Sequence, residues 1–213
     1  MYHLLRIVLL LWIVLFSTAT ANAVTTFVAN LTIGQEPVPP FVNPTNSITG
    51  LPRATPFGTA VFVLNDAQNA LTFTATIFNI DVNGLQTPND PNDNLVAAHI
   101  HAGTGLTPTF GVVWGFFGNP FNNNNPADEV DTPFTTGVGG TFSGTWNAPE
   151  GNAGATLTNQ LANIFAGRSY INFHTTQNPS GEIRGTLFIP EPSSALLFGL
   201  GLVGLASTLR RWA

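Results

Sequence analysis

Beyond its first residues, the chain has three histidines, His99, His101 and His174. Neutral imidazole is a donor for first-row transition metals, and it titrates nearer neutral pH than other side chains. His99-Ile100-His101 lies in a stretch that reads as a strand over 95–101. Residues i and i+2 of a strand leave by one face, so both imidazoles point one way and Ile100 the other. His174 lies in Tyr170-Ile171-Asn172-Phe173-His174-Thr175. There Tyr170, Asn172 and His174 share one face, and Ile171 and Phe173 share the core face. The turn 176–181 leads into Glu182-Ile183-Arg184-Gly185-Thr186-Leu187, so the two runs form a hairpin. Its polar face carries His174, Glu182 and Arg184.

Two arrangements fit these residues. In the first, the strand with His99 and His101 pairs near the hairpin, and the three imidazoles hold Zn²⁺ or Cu²⁺ with one position left open. Glu182 is then a fourth ligand or a partner that fixes a tautomer. In the second, Asn172, His174, Glu182 and Arg184, together with His99, form a structural polar network that satisfies its own hydrogen bonds. Other chemistries lack their residues. Cysteine is absent, which removes thiol nucleophiles and disulfides. No G-x-S-x-G and no P-loop occurs, so the chain reads more readily as a binding or structural module than as an enzyme, with a copper or zinc metalloprotein of redox or hydrolytic role as the alternative. Loops 87–94 and 119–131 carry carboxylates and amides that suit Ca²⁺, but neither has EF-hand spacing, and solvated loops are the simpler reading. Trp114, Phe116, Phe117, Phe142 and Trp146 suit either sugar stacking or a core.

Period-2 patterns supply the elements that position these groups. Leu71, Phe73, Ala75 and Ile77 alternate with threonines, which predicts a strand with one buried face. Runs 25–33, 58–64, 95–101, 111–117, 140–146, 169–175 and 182–189 bring the set to about eight, punctuated by glycine and proline. Many short strands predict an all-β domain, an antiparallel β-sandwich or Greek-key barrel. Leu157, Leu161, Ile164 and Phe165 fall on one face of a single short helix, with Thr156 placed to cap it and Gly167 to end it.

The ends address the chain. Arg6, the apolar run 7–16 and Ala21-Asn22-Ala23 predict a signal peptide over 1–23, cut before Val24. Pro190-Glu191-Pro192 precedes a glycine-rich apolar stretch that closes on Arg210-Arg211, which predicts a transmembrane helix with its basic end in the cytoplasm. Between Val24 and Pro190, three arginines face ten carboxylates, a net charge of −7, and lysine is absent. That balance excludes nucleic acid, whose binding needs clustered cations.

The tail, Pro190-Glu191-Pro192 through Arg210-Arg211, resembles a PEP-CTERM sorting signal over 190–213. The resemblance implies a Gram-negative bacterium that makes exopolysaccharide. It also implies recognition by an exosortase-type membrane protease and a path from an inner-membrane-anchored intermediate to the cell surface or medium. Exopolysaccharide or other surface components are then the natural partners.

A second resemblance covers 24–189. His99-Ile100-His101-Ala102-Gly103, Gly140-Thr-Phe-Ser-Gly144-Thr-Trp146, Gly167-Arg-Ser-Tyr-Ile-Asn-Phe-His-Thr175 and Asn178-Pro-Ser-Gly-Glu-Ile-Arg-Gly185 resemble a CHRD domain. The long 119–131 loop departs from it. The resemblance implies an immunoglobulin-like or superoxide-dismutase-like sandwich and no established reaction. His99 and His101 are also similar to the strand ligands of copper/zinc superoxide dismutases, whose cysteines are missing here.

Overall fold

The computed structural model describes residues 24–37, 39–104, 109–123 and 125–190. The predicted signal peptide, with Ala21 and Ala23, lies outside these residues. So does the tail from Glu191 onward, with Pro192, Arg210 and Arg211. Among the described residues, no helix is long and apolar enough to cross a membrane.

Among the described residues, nine strands form one antiparallel sheet. They are β1 (Thr25–Thr32), β2 (Phe57–Leu64), β3 (Ala70–Phe78), β4 (Leu95–Ala102), β5 (Val112–Gly118), β6 (Val130–Pro133), β7 (Gly139–Asn147), β8 (Ser169–Thr175) and β9 (Ile183–Thr186). Their order is β5-β4-β8-β9-β1-β2-β3-β7-β6. The sheet is curled, so its two halves face each other as the layers of a sandwich do. Phe73 of β3 meets Trp114 and Phe116 of β5 at ring-centroid distances of 5.9 and 4.7 Å, and Phe142 of β7 meets Phe173 of β8 at 5.3 Å. The halves join where β9 meets β1 through Thr32↔Arg184 and a separate bridge, Val28↔Phe188.

The alternation that predicts strands also decides which side chains are interior. Along β2 and β3 every second residue is buried, including Phe62, Leu64, Leu71, Phe73 and Ile77. The aromatics that suited sugar stacking fill the centre instead. Trp114, Phe116, Phe142 and Trp146 are buried, Phe117 packs against them, and Trp114 and Trp146 stack at 5.7 Å. Truncating one such side chain costs about 3–5 kcal/mol.

The predicted helix is present as α1 (Leu157–Phe165), which buries Leu157 and Ile164. Thr156 precedes it without making a side-chain cap bond, and Gly167 follows with φ +66°. Two boundaries differ from the sequence reading. The polar run expected as loop through Asp131 enters strand β6 at Val130, because its backbone finds the open edge of β7. Exposed on both faces, β6 has no alternation to reveal it. The last strand, expected to reach Ile189, stops at Thr186 as Leu187 and Phe188 turn to bond Ser169 and Val28.

Candidate metal centre

Pairing of β4 with β8 brings the histidines together. The register sets His99 opposite Asn172, His101 opposite Tyr170 and Ala97 opposite His174. His174 is therefore a diagonal neighbour of His99 on the same face, within reach of a side chain. Ile100 points into the core, fully buried, as the alternation requires. The histidine face is covered too, by loops, and His99, His101 and His174 are all buried.

The hydrogen bonds fix the tautomers. His99 Nε2 lies 3.0 Å from the Pro120 carbonyl, His101 Nδ1 2.8 Å from that of Phe110, and His174 Nδ1 3.1 Å from that of Pro179. A carbonyl only accepts, so each of these nitrogens donates. Each neutral ring then keeps one lone pair, on His99 Nδ1, His101 Nε2 and His174 Nε2. His99 Nδ1 and His174 Nε2 face each other at 3.1 Å. His101 Nε2 is buried without a hydrogen-bond partner. One potential ligand atom from each of the three residues lies within 4.8 Å of the other two.

Two lone pairs at 3.1 Å repel unless a cation lies between them. A proton is disfavoured. Burial holds all three imidazoles below their ordinary range, and with the neighbouring rings acting the same way His101 stands at about 4 and His174 at about 3. A metal ion fits the donor set. Metal-bound imidazole characteristically gives its other N–H to a carbonyl or carboxylate, as all three rings do here. With metal–nitrogen bonds near 2.0 Å, adjacent donors of a tetrahedral ion stand about 3.3 Å apart, close to the His99–His174 spacing. His101 is set further back, its ring 5.8 Å from each of the others against 4.8 Å between them. Completing the third vertex takes an approach on the order of 1 Å.

Glu182 is engaged elsewhere. Its carboxylate pairs with Arg53 at 2.7 Å and accepts from Thr175 Oγ1 at 2.6 Å and Asn178 Nδ2 at 2.7 Å. Arg184 donates to the Gln35 carbonyl, approaches Glu36 at 4.0 Å and lies over the Tyr170 ring at 4.7 Å. The polar residues named from the sequence thus separate. His174 joins the imidazole group, Glu182 anchors the 175–182 turn, and Arg184 belongs to a cluster with Glu36. Asn172 is buried among them with its Oδ1 unbonded. Burial raises the Glu36 carboxyl to about 7, partly offset by Arg184.

Sequence reasoning missed Arg53 and the three carbonyls. With three arginines in the domain, pairing of Arg53 with a buried acid was open to inference. The carbonyls give no side-chain signal. The loops bearing Ca²⁺-type ligands place Thr87 Oγ1 against both Asp81 and Asp93, at 3.1 and 2.8 Å. Among the described residues, the histidine trio is the one group of three or more metal-ligating side chains brought within coordination reach.

Comparison with known proteins accounts for nearly the whole described chain. The PEP-CTERM protein-sorting motif matches residues 188–211. That motif is processed by exosortase, a membrane protease, and directs export through a membrane-anchored stage to the cell surface. No curated protein and no solved structure matches at a significant level. The CHRD domain profile matches residues 27–187, from the third residue of β1 to just past β9, and it encloses all three histidines. The chain therefore belongs to the CHRD-domain family.

Proposed function

We propose that this is an exported, surface-sorted module, non-catalytic in role, whose CHRD domain holds a transition-metal ion on His99, His101 and His174. A signal peptide over 1–23 starts export, and the tail from Pro190 holds the chain in the membrane until exosortase-type processing. The mature domain then spans 24–189. The ion stabilises the half of the sheet that carries β4 and β8, and a metal suits a domain that has no disulfide.

One observation carries the metal reading: three buried imidazoles give their N–H groups outward to carbonyls and turn their lone pairs toward one another. A structural polar network would place a donor against each acceptor, and this group has none to spare. The test is metal analysis of the untagged protein after reconstitution with zinc and with copper. One equivalent is expected, lost in His99→Ala and His174→Ala. Absence of bound metal from the reconstituted protein would reject the reading.

A further inference from the structure

We propose that the three-histidine centre takes monovalent copper in preference to zinc. This inference rests on the metal-site reading above and names its ion. The donors are three neutral nitrogens, with no carboxylate or thiolate among them. Neither acid of the neighbouring clusters belongs to the donor set: Glu182 pairs with Arg53 at 2.7 Å, and Glu36 lies on the side of Arg184, 4.0 Å from it. A bound cation therefore keeps its full charge in a buried place. The cost of burying an ion grows with the square of its charge, so a divalent ion pays about four times what a monovalent one does.

The surroundings sharpen that difference. Tyr170 stacks on His101 at 4.7 Å and 9°, and the Arg184 guanidinium lies over the same Tyr170 ring. A fixed positive charge thus stands one ring away from a ligand, and its repulsion doubles for a doubly charged ion. Phe121 lies against His99, its ring centroid 6.0 Å away, adding apolar cover. Coordination number points the same way. Zinc sites are completed by a fourth ligand, commonly a water whose ionisation lowers the net charge. Monovalent copper is content with three nitrogens. Nitrogen donors also favour copper over zinc among divalent ions.

The experiment uses the exported protein, purified without an affinity tag. Cu(I), kept reduced by ascorbate without oxygen, is partitioned against bicinchoninate, and Zn(II) against a chromophoric zinc chelator. One equivalent of Cu(I) should bind at least about tenfold more tightly than zinc. Arg184→Gln should narrow that ratio several-fold by improving zinc binding, an effect that a purely structural role for Arg184 would not produce. Zinc binding as tight as Cu(I) would overturn the choice of ion and leave the metal site standing. Failure to bind either ion would overturn both. The wild-type ratio decides the matter even if the Arg184 variant fails to fold.

Discussion

Replacing Glu182 with alanine tests how the loop over the histidines is held. The side chain is fully buried and serves three donors: Arg53 at 2.7 Å, Thr175 Oγ1 at 2.6 Å and Asn178 Nδ2 at 2.7 Å. Removing one partner of a buried ion pair typically costs about 3–5 kcal/mol, because the remaining charge stays buried and uncompensated. Arg53 keeps one bond, from Nη1 to the Asn79 carbonyl at 3.0 Å, which does not neutralise it. The stranded Thr175 and Asn178 donors each add on the order of 1 kcal/mol, with less than full additivity. For a domain of this size each kcal/mol lowers Tm by roughly 2–4 °C, so the expected drop is roughly 10–20 °C. Thermal unfolding by circular dichroism reads it. The double variant with Arg53→Ala should lose at least about 1 kcal/mol less than the sum of the singles. A drop below about 1 kcal/mol, or strict additivity, would refute the assignment of Arg53 as the partner of Glu182.

Other expectations follow from the same geometry. A Cβ on Gly115 would overlap the Phe121 carbonyl and crowd His99 Cδ2. Gly115→Ala should therefore push away the loop that brings the Pro120 carbonyl to His99, weakening metal retention about 10-fold or more as loss of an outer-shell partner does. Equilibrium dialysis would measure it, and unchanged retention would count against the role of Pro120. Glu36 has its carboxyl raised from 4.5 to about 7, so the folded state holds a proton that the unfolded chain releases. Stability should fall as pH rises from 4.5 to 7 and level off above, by at most about 3 kcal/mol, and Glu36→Gln should flatten that slope in urea titrations. Deleting residues 195–213 should release the protein from the membrane fraction, read by immunoblot after fractionation. Retention would oppose the sorting role of the tail.

Much of the fold is legible in the residues because alternation is a local property. The threonine-and-apolar pattern of 71–77 and the β-branched runs elsewhere predict eight of the strands, and Leu157, Leu161, Ile164 and Phe165 predict the helix. The edge strand β6 escapes, since a strand exposed on both faces needs no pattern. The likeness of 99–103 and 167–185 to a CHRD domain, and of 190–213 to a PEP-CTERM tail, is likewise carried by contiguous residues, and the family and motif matches agree with it.

The sequence by itself determined that His99 and His101 leave one side of a strand, and that His174 stands on the outer side of another. Both statements depend only on the two-residue repeat of extended backbone. Only the tertiary structure decided that β4 lies beside β8 in the register that sets His174 diagonal to His99. It also decided that Glu182 turns to Arg53, 129 residues away in the chain. The outward acceptors are backbone carbonyls of Phe110, Pro120 and Pro179. Every residue carries such a carbonyl, so no residue type announces which of them a fold will bring to an imidazole.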